Sequence, residues 1–314
     1  MPKGFIVGVM LAAIGIGGLL AFIPPHPVSF SGASLAPTLF SLGQLVSPLG
    51  RGPSDVSVLV LGFAGEGYTS GSLADTILFV RYIPETNTAH LVSIPRDLWI
   101  ADGDLQYKIN EVLPRKRIEA ALITAQKITG IIPDGYLAVD LATVGSIVDR
   151  LGGVDIVLDE VAVDWVSGFS MGPGPVHLNG EDAIWLIRNR YNREGDFFRE
   201  KNQQKIIESA TKKFRTLSTA QKLSLAKEFL FNPSSLSRLH LDLSRVTAFL
   251  GKDMGEIKVN SIVLNFETGL FKTDSIALHS NATTTYASVI LPTEGFDSYD
   301  AVREYVLQKI DEQN

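Results

Sequence analysis

Two places in this chain gather side chains suited to phosphate chemistry. The first is Asp75 with Arg96 and Asp97. Asp75 precedes the strand-like run 77–83 (ILFVRYI), and Arg96-Asp97 follow the run 89–94 (AHLVSI). Pro84-Glu85-Thr86-Asn87 lies between them, a good turn sequence. If those four residues close a hairpin, Ile83 opposes Thr88, and the same register sets Asp75 opposite Arg96. Two carboxylates and a guanidinium at one strand end can bind a divalent cation and a phosphate. A surface ion pair is the other reading, and hairpin geometry alone favours it.

The second place is the stretch 188–204, RNRYNREGDFFREKNQQ, which sets Arg188, Arg190, Arg193 and Arg199 around Asp196 in a chain that is acidic overall. Asn179 suits a helix cap over 180–186. If that helix continued, Arg188 and Arg190 would point about 200° apart; if the chain is extended, both share one face. Asp196 suits a second cap, and Asp196, Arg199 and Gln203 then lie on one helical face. Planar guanidiniums match phosphate oxygens in pairs. A solvated basic helix face is the competing reading, and the pattern weighs the two about evenly.

These residues need a scaffold. Residues 56–61 (VSVLVL) read as a buried strand, followed by a glycine-rich loop at 62–67. The spacing of Ile118, Ala121, Leu122, Ala125 and Ile128 predicts a helix that Gly130 stops. A strand at 136–139 leads to Asp140, a cap for a helix ending near Gly152-Gly153, and 154–158 is a further strand. After Thr216 the chain reads as helical, then as strands at 259–266 and 287–291 and a last helix over 299–310. Strands alternating with helices, plus one hairpin, predict an α/β domain with a mixed sheet. The glycine loop is no P-loop, since no Lys-Ser/Thr follows it and a strand comes next.

The chain has 314 residues, 45% hydrophobic and 20% charged, with formal net charge -6. An acidic protein is a poor general binder of nucleic acid, whose affinity rests on phosphate neutralisation. There is no cysteine, so disulfides, thiol catalysis and cysteine–metal sites are excluded, and the five histidines stand singly without ligand spacing. Residues 5–23 (FIVGVMLAAIGIGGLLAFI) are uncharged, and nineteen residues of helix span roughly 28 Å, close to a hydrocarbon core. Lys3 favours the amino end inside. The expected organisation is a membrane anchor over 1–24, an extracytoplasmic Pro/Ser/Gly-rich tether over 25–54 and one domain over 55–314. A cleaved signal peptide is the competing reading of the apolar run.

Taken in order, Ala74-Asp75-Thr76, Ser93-Ile94-Pro95-Arg96-Asp97, Lys108-Ile109-Asn110, Leu178-Asn179-Gly180-Glu181 and the spacing Arg188, Arg190, Asp196, Arg199, Gln203 resemble the LytR-CpsA-Psr family. The resemblance runs from about residue 55 to at least 210; no single motif is specific, but the ordered set is. It implies a three-layer α/β/α domain behind one transmembrane helix. It also implies a membrane-anchored, magnesium-dependent phosphotransferase that moves a glycopolymer from a polyprenyl-pyrophosphate carrier to peptidoglycan or another wall acceptor, forming a phosphodiester. Under that resemblance Asp75 and Asp97 take the metal side. Arg96, Lys108, Asn110, Arg188, Arg190, Arg199 and Gln203 take the substrate, and Arg96, Asp97, Asp196 and Arg199 form the catalytic set. Two departures stand out: Leu73-Ala74 occupies the place of the family's frequent Arg-Ser, and Glu66 the place of a loop aspartate. A non-catalytic receptor for the lipid-linked polymer and a polyprenyl-pyrophosphate phosphatase are the alternatives. A transcriptional regulator fits neither the anchor nor the charge.

Overall fold

The computed structural model describes residues 55–65, 67–68, 71–165 and 168–189, parts of 202–225, and then 238–241, 258–279 and 284–313. The anchor, the tether, Glu66, Arg190, Asp196, Arg199 and Gln203 lie outside the described residues, as does almost all of the helical stretch expected after Thr216.

The apolar run after Asp55 forms β1 (Val56–Phe63), buried along most of its length as a strand covered on both faces must be. β2 (Ala74–Ile83) and β3 (Thr88–Ile94) form the expected hairpin, with Ile83 opposite Thr88 and Ile77 opposite Ile94. Asn87 closes the turn at φ +50, a left-handed conformation that Asn tolerates, and its side-chain oxygen accepts from the Tyr82 hydroxyl at 2.6 Å. β12 (Lys258–Val263) adds to β3 in parallel, Ile262 opposite Val92. With β6 (Gly135–Asp140) and β11 (Arg238–Leu241), the six-stranded sheet has the order β11-β6-β1-β2-β3-β12. It is the mixed α/β sheet that the sequence predicts.

The chain divides into two compact units. One contains the start of β1, Leu73–Tyr136 and the described part of His240–Asn314. In it, α1 (Ile118–Thr129) ends where expected, at Gly130 with φ +71. α4 (Asp300–Gln313) lies against that end: a Cβ on Gly130 would come within 3.1 Å of Arg303 Cδ. The hairpin of β4 (Trp99–Asp102) and β5 (Leu105–Lys108) and the ribbon of β13 (Phe271–His279) and β14 (Thr284–Pro292) complete it. The strand expected over 259–266 stops early, at Val263. Asn265 accepts from the Glu267 N–H at 3.1 Å and starts a 3-10 turn, Phe266–Thr268. Such Asx turns compete with the strand ladder.

The other unit contains Val60–Ser72 and the described part of Leu137–Leu239. Asp140 caps α2 (Leu141–Arg150), accepting from the Thr143 N–H at 2.7 Å. β7 (Val154–Leu158) pairs antiparallel with β10 (Gly174–Leu178), and a small hairpin joins β8 (Ala162–Val163) to β9 (Ser170–Met171). α3 (Gly180–Arg188) begins at Asn179, which accepts from the Asp182 N–H at 2.9 Å, while Asp149 accepts from the Gly180 N–H at 2.7 Å. α2 and α3 meet backbone to backbone at glycines: a Cβ on Gly180 would lie 2.3 Å from the Gly145 carbonyl oxygen.

Candidate functional site

The first cluster forms where the hairpin register places it. Beyond the last β2–β3 pair, Arg96 Nη1 lies 2.5 Å from Asp75 Oδ1, and Arg96 Nε lies 3.5 Å from Asp97 Oδ2. Lys108 joins them, its Nζ 2.8 Å from Asp97 Oδ1. The side chains are 50% (Asp75), 48% (Arg96), 34% (Asp97) and 24% (Lys108) exposed, so the group is open to an incoming ligand rather than sealed in the core. Ion pairs this open contribute little stability. They leave two hard-oxygen acceptors and two cations at one strand end.

Lys108 arrives by a local device. The β4–β5 hairpin turns at Asp102 to Leu105 and returns Lys108 opposite Trp99, two residues past Asp97. The 3-10 turn Ile109–Glu111 follows at once. In it, the Asn110 N–H donates to the Arg96 carbonyl at 3.2 Å; its side chain is buried, and Oδ1 lacks a hydrogen-bond partner. The far end of the hairpin is fixed to the start of α1: Arg117 Nε and Nη2 donate to the two oxygens of Asp102 at 2.5 and 2.8 Å. That guanidinium holds the Asp102 carboxyl below the usual range. Burial, with Asp102 beside it, pushes the Tyr107 phenol up, so it stays a donor to Asp102 Oδ2 at 2.7 Å.

Arg188 belongs to the other unit. It is the last residue of α3, and the chain turns extended only at Asn189, with φ -65 and ψ 123. The alternative that puts Arg188 itself on an extended segment is therefore corrected: the helix runs two residues beyond 186. A cation at a helix carboxyl end is favourably placed. The buried Asn189 holds this end, donating from Nδ2 to the Val163 carbonyl at 3.0 Å. The Arg188 guanidinium lies over the Tyr68 ring, 4.1 Å from its centroid. Tyr68 sits in the glycine loop after β1, which closes on itself: the Gly65 N–H donates to the Gly71 carbonyl at 2.8 Å, and the Gly71 N–H to the Tyr68 carbonyl at 2.9 Å. A Cβ on Gly71 would fall 1.9 Å from the Gly65 oxygen, so only glycine permits that closure.

Of the residues singled out in the sequence, Asp75, Arg96, Asp97 and Lys108 stand together, with Asn110 bonded to the Arg96 backbone. Arg188 is described with its own unit. Arg190, Asp196, Arg199 and Gln203 lie outside the described residues. Sequence reasoning missed Tyr68 as the partner of Arg188, although an aromatic ring inside a glycine loop was the available signal. It also missed the β4–β5 hairpin. Its Gly103 carries the turn at φ +62, and Asp102-Gly103-Asp104 is the turn signal in the sequence. Among the described residues, no group of three His, Cys, Asp or Glu could hold a metal, and no helix is long and apolar enough to cross a membrane.

Solved structures share this fold. Bacillus subtilis TagV aligns with TM-score 0.53 at 20% identity over 83% of this chain and 99% of that one. TagT bound to LIIa-WTA aligns with TM-score 0.54 at 17% identity over 83% and 93%. In sequence, the chain is 31% identical over 168 residues to the polyisoprenyl-teichoic acid–peptidoglycan teichoic acid transferase TagU of Bacillus cereus. That match takes in 52% of this chain and 54% of the relative, so the chain spans about half the length of the curated relatives it matches. The family model covers residues 46–235, more than half of the chain and every motif from Ala74 to Gln203, and on that match the chain belongs to the LytR_cpsA_psr family.

Proposed function

We propose that this chain is a membrane-anchored phosphotransferase that moves a glycopolymer from a polyprenyl-pyrophosphate carrier to a wall acceptor such as peptidoglycan. The observation that carries the reading is the open cluster of Asp75, Arg96, Asp97 and Lys108 in a chain of this family. The acceptor hydroxyl would give up its proton to solvent as its oxygen bonds to the phosphorus that bears the polymer. The bridging phosphorus–oxygen bond would break, and its electron pair would leave on polyprenyl phosphate. Such a step asks for positioning and charge stabilisation more than covalent chemistry. Arg96 and Lys108 would supply that charge to the diphosphate, with Asn110 beside them. By the family pattern Arg188, Arg190, Arg199 and Gln203 are further diphosphate contacts, and Asp196 orients an arginine. The donor set fits magnesium, which takes one or two carboxylates and fills its shell with phosphate oxygens and water. Asp75 and Asp97 would hold it, and when bound it would offset diphosphate charge.

The test is transfer by the purified chain from a short-chain polyprenyl-pyrophosphate sugar to an acceptor glycan. Arg96→Ala should lower the rate about ten-fold to a hundred-fold, the worth of a charge-assisted hydrogen bond of about 1.5–3 kcal/mol. Tight binding of the lipid without turnover would favour a receptor, and release of phosphate without transfer a phosphatase.

A further inference from the structure

We infer that β14, which lies beyond the residues matched by the family model, is the positioning strand of the site, fixing Asp97 through the backbone N–H of Ile290. This rests on the functional reading above. Asp97 lies outside the β2–β3 ladder, which ends at Ile94, so that hairpin alone does not fix it. Its segment is instead held from two sides. The Asn110 N–H donates to the Arg96 carbonyl at 3.2 Å and the Ile109 N–H to the Leu98 carbonyl at 2.8 Å. Arg96 and Asp97 lie in a turn that the Leu98 N–H closes on the Pro95 carbonyl at 3.1 Å, and that bond leaves the Asp97 carbonyl free to accept from elsewhere. The Ile290 N–H donates to it at 2.9 Å, and Leu98 and Ile290 form a parallel bridge. Val289 and Leu291, flanking Ile290 and pointing to the other face of the strand, are buried with Trp99. Trp99 opposes Lys108 in the β4–β5 hairpin, and its indole N–H donates to Gln106 Oε1 at 3.1 Å. One strand thus sets the backbone of Asp97 and braces the hairpin that brings Lys108 to it.

The experiment compares variants of the full chain in the transfer assay, each with its unfolding midpoint. Ile290→Pro removes the N–H, whereas Ile290→Val keeps it. Misplaced catalytic groups cost rate steeply, so Ile290→Pro should lower kcat at least about ten-fold with KM for the lipid within about two-fold, and Ile290→Val should restore kcat. If Ile290→Pro does not fold, Val289→Ala decides, set against Val302→Ala, an equal deletion in the buried face of α4. Val289→Ala should lose kcat and Val302→Ala only stability. Equal kcat losses from those two, or an unimpaired Ile290→Pro, would overturn the positioning role alone. A parent chain that neither binds nor transfers the lipid would sink the functional reading, and this inference with it.

Discussion

At the scale of residues, the site separates groups that composition makes look alike. Arg188 and Arg193 lie five positions apart in one arginine-rich stretch. Arg188 ends α3 with its guanidinium over Tyr68, a pairing that holds the planar group in one orientation. The family spacing includes Arg188 and omits Arg193. Arg188→Ala should therefore cost about 1.5–3 kcal/mol of diphosphate binding or transition-state stabilisation. Arg193→Ala should cost less than about 1 kcal/mol, as charges outside a site usually do. Parallel kinetics of the two variants check this, and equal losses would mean that the stretch acts as a diffuse basic patch. Tyr68→Phe, which keeps the ring, should leave Arg188 in service.

At the scale of elements, the residues that the family pattern singles out stand at ends rather than middles, each within its own unit: Asp75 and Arg96 at the open end of the β2–β3 hairpin, Lys108 as the last residue of β5, and Arg188 as the last residue of α3. Fastenings lie at both ends of these elements. Asp102 and Arg117 secure the turn of the β4–β5 hairpin and the Asn110 N–H on the Arg96 carbonyl its open end, while Asn179 and Asp149 secure the start of α3 and Asn189 its finish. The placement of α3 also depends on the close contact of Gly145 with Gly180. Gly180→Ala would push a methyl group into the Gly145 carbonyl, which is backbone and cannot swing aside. Overpacking of this kind costs about 1–3 kcal/mol. Calorimetry should show a lowered unfolding midpoint for Gly180→Ala, and a midpoint equal to the parent's would mean that α2 and α3 separate without penalty.

At the scale of the whole molecule, the functional reading requires the domain to meet a lipid-borne substrate outside the cytoplasm. The motive for that placement is the uncharged apolar run 5–23, with the Pro/Ser/Gly-rich tether after it. Fusions of a compartment-sensitive reporter after residue 54 should be active only outside the cytoplasm. Activity inside would overturn the localisation and, with it, access to the carrier. The acidic balance of the chain, -6 overall, makes the cationic clusters local features rather than part of a basic surface.

The sequence by itself determined the class of fold, the β2–β3 register and thereby the meeting of Asp75 with Arg96. All three rest on short-range signals: period-two apolar runs, a four-residue turn, caps such as Asp140 and Asn179, and a stop at Gly130. A register propagates from its turn without help from the rest of the chain. The family pattern added Lys108 and Asn110 to that cluster by residue type and order. Contacts between distant segments were decided only by the tertiary structure. The carbonyl of Asp97 is held by Ile290, almost two hundred positions away, and no local pattern encodes which N–H will face it. Arg188 stacks on Tyr68 from a different element, and β13 gave no apolar period to read because most of its residues are exposed. Local propensity specifies elements and their ends; pairing across long loops depends on which faces remain to be covered once those elements have formed.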